Sequence, residues 1–346
     1  MHRTLPPEWA PQRAVMLTWP HDQTDWADIL DRVEPVYDRI AREVTAREEL
    51  LVVARDEAHA AYLRQRLLHV GCPAGRVHVE VAPSNDTWAR DHGPISVLED
   101  GRARLLDFRF NGWGGKFAHD LDDAITGRLH AQGAFGDTPM ESLDFILEGG
   151  SIESDGQGTL LTTRQCLLTP TRNPHCDERS IEELLKRSLG VERVLWLSHG
   201  HLEGDDTDSH IDTLARLCPN DTIAHVVCAD ESDPHHEPLA AMAAELADFR
   251  TADGRPYRLV PLPLPAPIRD PDGRRLGATH ANFLIINGAV LVPTYDDPTD
   301  DVALERLATC FPDRDVIGID CRPLIYQNGS LHCITMQLPQ AVTLSV

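Results

Sequence analysis

The chain has 346 residues, 42% of them hydrophobic and 25% charged, and 55 Asp and Glu against 32 Lys and Arg give it a formal net charge of −23 at pH 7. So acidic a chain, with Lys116 and Lys186 as its only lysines, excludes nucleic-acid binding, which needs clustered cations on the phosphates. No apolar run approaches the ~18–20 residues that cross a bilayer, and residues 1–19 hold Pro6, Pro7 and Pro11 but no secretory apolar core.

Cytoplasmic location and a single domain over 1–346 are therefore expected, without a membrane partner. The eight cysteines form no C-x-x-C pair. They are expected as reduced thiols rather than as a zinc site. An acidic surface also suits a small cationic substrate, although solubility alone explains it equally well.

Taken in order, the chain repeats a strand, strand, helix, strand unit. The first unit spans 14–82, with strands at 15–17, 50–54 and 77–81. The second runs over 95–147 and has only a weak helix at 120–129. In the third, a strand at 158–163 precedes a helix at 180–189 and a strand at 194–197. The fourth has strands at 223–227 and 257–261 around a helix at 238–249. The fifth, 281–321, is the clearest: a hairpin of 282–286 and 289–292 about Asn287-Gly288, a helix at 302–311 and a strand at 315–319. The copies share architecture and not sequence.

Polar motifs fall just beyond these units. Asp91 follows the first, Glu148 the second, His210 and Asp212 the third, the segment 278–282 with Asn282 the fourth, and Cys333 the fifth. Units set around an axis like propeller blades bring equivalent ends to one pocket; an open sheet is the alternative.

One thiol, one imidazole and three carboxylates suit attack on a guanidinium carbon without a metal. That group is planar, permanently charged, and presents N–H pairs that carboxylates match. Asp91 and Asp212 are the candidates for holding it. Its carbon is a poor electrophile, so a thiolate nucleophile is required, and Cys333 follows the turn-forming Asn328-Gly329-Ser330. A lone cysteine there is ordinarily packing; its companions argue for catalysis. His210 can protonate departing ammonia and then activate water. The run Asp208-Ser209-His210-Ile211-Asp212 favours an extended or turn setting. Glu148, before Gly149-Gly150, either orients the imidazole or caps a turn. Trp88 either lies on the substrate or packs in the core. Arg90 pairs with a neighbouring carboxylate. Asn282 and Asp206 complete the candidate substrate contacts, and Asp205, Asp206 or residues near Trp19 are candidates for a distal amine.

These residues resemble the agmatine deiminase and bacterial peptidylarginine deiminase family, within the guanidino-group-modifying enzymes. The likeness is carried by Pro7-Glu8-Trp9-Ala10-Pro11, Asn85-Asp86-Thr87-Trp88-Ala89-Arg90-Asp91, Phe110-Asn111-Gly112-Trp113-Gly114-Gly115-Lys116, Leu147-Glu148-Gly149-Gly150, Asp208-Ser209-His210-Ile211-Asp212 and His332-Cys333. It implies a five-bladed, pseudo-symmetric α/β propeller of ββαβ modules. Cys333 would be the nucleophile and His210 the acid–base group. Asp91 and Asp212 would grip the guanidinium, and Glu148 would support the histidine. The agmatine branch hydrolyses agmatine to N-carbamoylputrescine and ammonia, with no cofactor, in putrescine and polyamine biosynthesis. Ser209, Thr213, His280 and the loop Asn328-Gly329-Ser330-Leu331 depart from the expected pattern and bear on the substrate-tail subsite.

Three rival readings remain. A deiminase of peptidyl or free arginine would yield citrulline. A metal-dependent hydrolase would use the run His199, His201, Glu203, Asp205, Asp206 and His210. A non-catalytic binding protein would keep the fold alone. A homodimer is the expectation for an enzyme of this size.

Overall fold

A computed structural model describes residues 2–345. It is a mixed α/β fold with five small sheets among those residues. Each sheet has the same plan: an outer strand antiparallel to a central strand, which runs parallel to the next. Sheet two places Ile95–Glu99, Arg102–Arg109 and Met140–Ile146 side by side, edged by Arg3–Thr4. Sheet three is Ile152–Ser154, Thr159–Thr163 and Arg193–Leu197. The fourth is Ala215–Cys218, Thr222–Val227 and Arg258–Pro263, and the fifth Leu284–Ile286, Ala289–Thr294 and Asp315–Asp320.

The first sheet corrects the unit drawn at 14–82. Its outer strand is Thr335–Pro339, from the far end of the chain, antiparallel to Gln12–Thr18, with Glu49–Ala54 and Val77–Val81 beyond. Cys333 therefore precedes the outer strand of sheet one, just as Asp91, Glu148, Asp212 and Asn282 precede those of the other four. Long-range pairing of this kind leaves no local mark in the sequence.

Local rules account for the elements. Asp177 and Ser180 form a reciprocal cap that starts helix Glu178–Leu189, and Gly190 at φ 71° ends it in the left-handed region. Its buried face is Ile181, Leu185, Ser188 and Leu189, at helical spacing. The weak helix expected at 120–129 is instead the short Ile125–Ala131. Strand Ala289–Thr294 is buried at five consecutive positions, because helices and neighbouring sheets cover both its faces. The strand expected over 282–286 begins only at Leu284, which leaves Asn282 outside the ladder.

The apolar core lies between sheets. Leu284 and Leu291 of the fifth pack with Val15, Val52 and the helix Leu30–Thr45. Leu51 and Val53 meet Ala103 and Leu105 of the second; Leu106 and Phe108 meet Leu160 of the third. Leu161 and Leu197 of the third join Leu217 and Ile223 of the fourth, which in turn meet Ile285 and Val290 of the fifth. Among the described residues no helix is long and apolar enough to cross a membrane.

Candidate active site

The segments just before the five outer strands meet at one place. Asp91 sits in the single helical turn Ala89–His92, where its Oδ1 accepts from the Gly150 N–H at 3.0 Å and its Oδ2 from the Trp113 indole at 2.9 Å. His210 opens the 3-10 turn Ile211–Thr213, so the pair with Asp212 lies on a turn and not on a strand. Its Nδ1 is 3.7 Å from Asp91 Oδ1. Cys333 Sγ is 3.3 Å from Asn282 Oδ1 and 3.9 Å from Asp212 Oδ2. Asn282 Oδ1 also accepts from the backbone N–H groups of His332 and Cys333, which fixes the approach to the thiol.

Gly150 explains why a glycine is needed here. A Cβ on it would stand 2.6 Å from His210 Nδ1, 2.9 Å from Asp91 Oδ1 and 3.1 Å from Asp212 Oδ2. The three groups thus surround one backbone point.

Burial and charge set the protonation states. Burial first, then Asp212 and Asp91, push the Cys333 thiol well above its usual value. In the free protein the sulfur holds its proton. Burial likewise carries Asp91 up to about 6, with Asp212 and Glu148 adding to it and His210 opposing. Burial works against a charged His210, yet the facing Asp91 and Cys166 raise it well above an ordinary imidazole, so it stands as a proton donor. Asp212 is held low despite its burial, because His332 donates to it at 2.7 Å.

Glu148 does not hydrogen-bond His210. Its Oε1 accepts from Arg172 Nε at 2.7 Å, in a pair from which water is wholly excluded. Its carboxylate, the Cys166 thiol and the His210 ring nevertheless lie within 4.8 Å of one another. Arg172 also reaches Asp208 at 2.7 Å and the Thr207 carbonyl at 2.8 Å, and so ties the His210 loop to Glu148.

A pocket of about 470 Å³ leads to this cluster. Asp91 and Cys333 lie on its wall, while His210, Asp212 and Asn282 stand one layer deeper. Trp88, Trp113 and Phe117 form an aromatic side; Trp88 and Trp113 meet edge to face at 6.1 Å. Asp25, Asp86 and Asp206 make the rest of it acidic. Asp86 accepts from the indoles of Trp26 at 2.8 Å and Trp88 at 3.0 Å, and burial followed by Asp25 pushes it up to about 7. Asp206 accepts from Asn328 at 2.9 Å and is raised by burial. Among the described residues the lining has four carboxylates and no Lys or Arg. A second cavity, of about 620 Å³, is lined by Glu8, Gln12, Arg90, Gly149 and Glu153 and contains neither the thiol nor the two aspartates.

Trp88, Asp91, Asp206 and Cys333 all border the pocket, with Asp212, Asn282, His210 and Glu148 behind them. Of the candidates for the distal end, Asp206 and Asp25, near Trp19 in the chain, line the pocket, while Asp205 and Trp19 itself do not. Trp19 is wholly buried with its indole on Glu34 at 3.0 Å, and Asp205 is spent on the backbone and hydroxyl of Thr207 and the N–H of Ser209. Asp86 went unnoticed in the sequence, although it stands two residues before Trp88. Arg90 reaches Gln337 at 2.6 Å and Glu8 at 3.7 Å, as the pairing expectation requires. The metal-ligand run does not assemble: His199 pairs with Glu245, and the Glu203 N–H donates to His235.

The model of the Porphyromonas-type peptidyl-arginine deiminase family matches residues 4–339. A Porphyromonas gingivalis protein that carries a provisional designation of arginine deiminase is 54% identical, with a TM-score of 0.92 over 99% of both chains. A C. jejuni agmatine deiminase, solved as a Cys-to-Ser variant with substrate bound, is 37% identical, with a TM-score of 0.91 over 98% of this chain and 97% of that one. The agmatine deiminase of Stutzerimonas stutzeri is 32% identical over 357 residues, covering 97% of this chain and 95% of its own.

Proposed function

We propose that this chain, which belongs to the Porphyromonas-type peptidyl-arginine deiminase family, hydrolyses agmatine to N-carbamoylputrescine and ammonia. It is a hydrolase of C–N bonds in linear amidines, and its product feeds putrescine and polyamine biosynthesis. The observation that carries the choice of substrate is the pocket: a thiol at one end, aromatic rings along the side and only carboxylates among its charged groups. A cation at each end of a short alkyl chain fits that lining. Free arginine brings an α-carboxylate, for which the described lining offers no cation.

In the reaction the guanidinium lies against Asp91 and Asp212. Its charge reverses the effect of the two aspartates on Cys333, so the thiol ionises as substrate arrives. Sulfur adds to the guanidinium carbon, and the C–N bond to the unsubstituted nitrogen breaks as His210 gives that nitrogen its proton. Ammonia departs and leaves a thiouronium. His210, now neutral, takes a proton from water; the resulting hydroxide adds to the carbon, and the C–S bond breaks as the hydroxyl proton passes to solvent, which frees the ureido product and the thiolate. Glu148 supports the imidazolium by charge, being held beside it by Arg172. The butyl chain passes Trp88 and Trp113, and Asp86, Asp25 and Asp206 receive the distal amine.

The fold proposed for this site is a closed ring of five modules forming one domain over 1–346. Support comes from the packing of each sheet on the next and from Thr335–Pro339 joining Gln12–Thr18. Location in the cytoplasm and assembly as a homodimer are parts of the same proposal. Ammonia release from agmatine, free arginine and a doubly blocked arginine peptide tests the substrate. Turnover of agmatine at least a hundredfold above the other two is expected, and preference for either arginine form would overturn it.

A further inference from the structure

His332 precedes the nucleophile but does not face the pocket. It is buried between two carboxylates: its Nδ1 lies 2.7 Å from Asp212 Oδ2 and its Nε2 2.7 Å from Glu8 Oε2. Neither carboxylate supplies a hydrogen when ionised, so both ring nitrogens must donate, which only the imidazolium does. Glu8 is pinned in turn by Arg216 at 2.9 Å and by the Ile285 N–H at 2.7 Å. Around the ring, Glu8, Glu153 and Asp212 face Arg90, Arg216 and His332, three charges of each sign, drawn from the N-terminal segment, the Ala89–His92 and Ile211–Thr213 turns, the outer strands of sheets three and four, and the approach to the outer strand of sheet one. Cys333 Sγ approaches the same Asp212 oxygen, Oδ2, at 3.9 Å.

We propose that His332 and Glu8 are positioning residues, a buried relay from the N-terminal segment that aims the Asp212 carboxylate at the guanidinium and keeps it ionised. The relay occupies Oδ2 along one edge and leaves Oδ1 without a protein partner among the described residues. An aspartate so fixed meets the substrate as a formed acceptor, with little reorganisation left to do. The relay also explains the direction of the Asp212 shift: burial alone would raise this carboxyl, and His332 carries it the other way. For Glu8 the same opposition holds, with burial outweighed by His332 and Arg216.

The inference rests on the clamp described above, and its test is chosen to stand apart from the identity of the substrate. A haloacetamidine alkylates a thiol and carries a planar cation; iodoacetamide alkylates it without charge. The ratio of their rates at Cys333 reads the clamp directly. In the parent the amidine should react at least tenfold faster. Two variants are compared, His332→Asn, whose amide can still donate to Asp212 but carries no charge, and Glu8→Gln.

Both should lower the ratio about tenfold at pH 7 while the iodoacetamide rate changes less than threefold. For agmatine, KM should rise more than kcat falls. The acid side of kcat/KM, which Asp91 sets near 6 in the parent, should steepen below that value, because Asp212 then takes up its proton at a higher pH. Variants that keep the parent ratio and pH limb, with only a lower melting temperature, would reduce the relay to a structural role and overturn the proposal. Should His332→Asn fail to fold, Glu8→Gln decides alone. A parent without amidine preference overturns the relay and its clamp together. A parent with that preference but no agmatine turnover refutes the substrate reading and leaves the relay standing.

Discussion

Replacing Gly150 with alanine puts one methyl group where the acid–base residue and both clamp aspartates converge. Its Cβ would lie 2.6 Å from His210 Nδ1, whereas ordinary contact begins near 3.4 Å, so the ring must retreat by about 0.8 Å. Asp91 Oδ1 at 2.9 Å and Asp212 Oδ2 at 3.1 Å must give way by smaller amounts. None has free space: all three residues are at most 5% exposed, and Asp91 and Asp212 are each held by a further partner. A displacement of ~1 Å at reacting groups costs on the order of a hundredfold in rate, and overpacking a tight interior destabilises by about 1–3 kcal/mol. We expect Gly150→Ala to lower kcat for agmatine about a hundredfold and to raise KM several-fold, with a modest loss in urea stability. Gly75→Ala is the control, since nothing lies within 4 Å of its Cβ and its φ is ordinary. Steady-state ammonia release and urea titration measure both. Activity within about threefold of the parent would refute the claim that these three groups share one point.

Cys333→Ala should leave no measurable turnover while urea stability stays within about 1 kcal/mol, since one sulfur at a pocket wall is lost. Because Asp91 sits at about 6, kcat/KM for a cationic substrate should fall as pH drops through that value, and Asp91→Asn should lower activity and erase the limb. The sign for stability is opposite: a carboxyl raised above its unfolded value near 4 favours folding when protonated, so this group's contribution declines as pH rises from about 4 to about 6. Asp86→Asn should raise KM for agmatine and spare a guanidine that lacks a distal amine; in the parent, KM for agmatine should fall as pH rises through about 7 and Asp86 ionises. Arg172→Ala strands Glu148 as a fully buried, unpaired charge and should cost about 3–5 kcal/mol by urea titration.

Much of this was legible in the sequence because the modules are local. Alternating or continuous apolar runs marked 223–227 and 289–292, and Asn287-Gly288 marked a hairpin whose Gly288 does adopt φ 71°. The spacing of Asp91, Glu148, His210, Asp212 and Cys333 behind successive modules was visible for the same reason, and their contacts follow from it. Three things were not visible. The union of Thr335–Pro339 with Gln12–Thr18 depends on partners at opposite ends of the chain. The deep partners, Arg172 for Glu148 and Glu8 for His332, are ordinary charged residues until the fold excludes water from them. And Asp86 looked like a loop residue because nothing in Asn85-Asp86-Thr87 reveals that two indoles will point at it.

The pairing of Thr335–Pro339 with Gln12–Thr18 has a consequence for biogenesis. The strand at Gln12–Thr18 is synthesised before its partner and waits with one edge bare while the strands of the four other sheets are translated. The segment that finally covers it is the one that seats the reactive sulfur two residues upstream, at Cys333. Chemistry therefore switches on only after the strands of all five sheets have been made. A chain stopped before Cys333 would expose a sticky β edge, a mark for quality-control proteases, and would have no working nucleophile to lose.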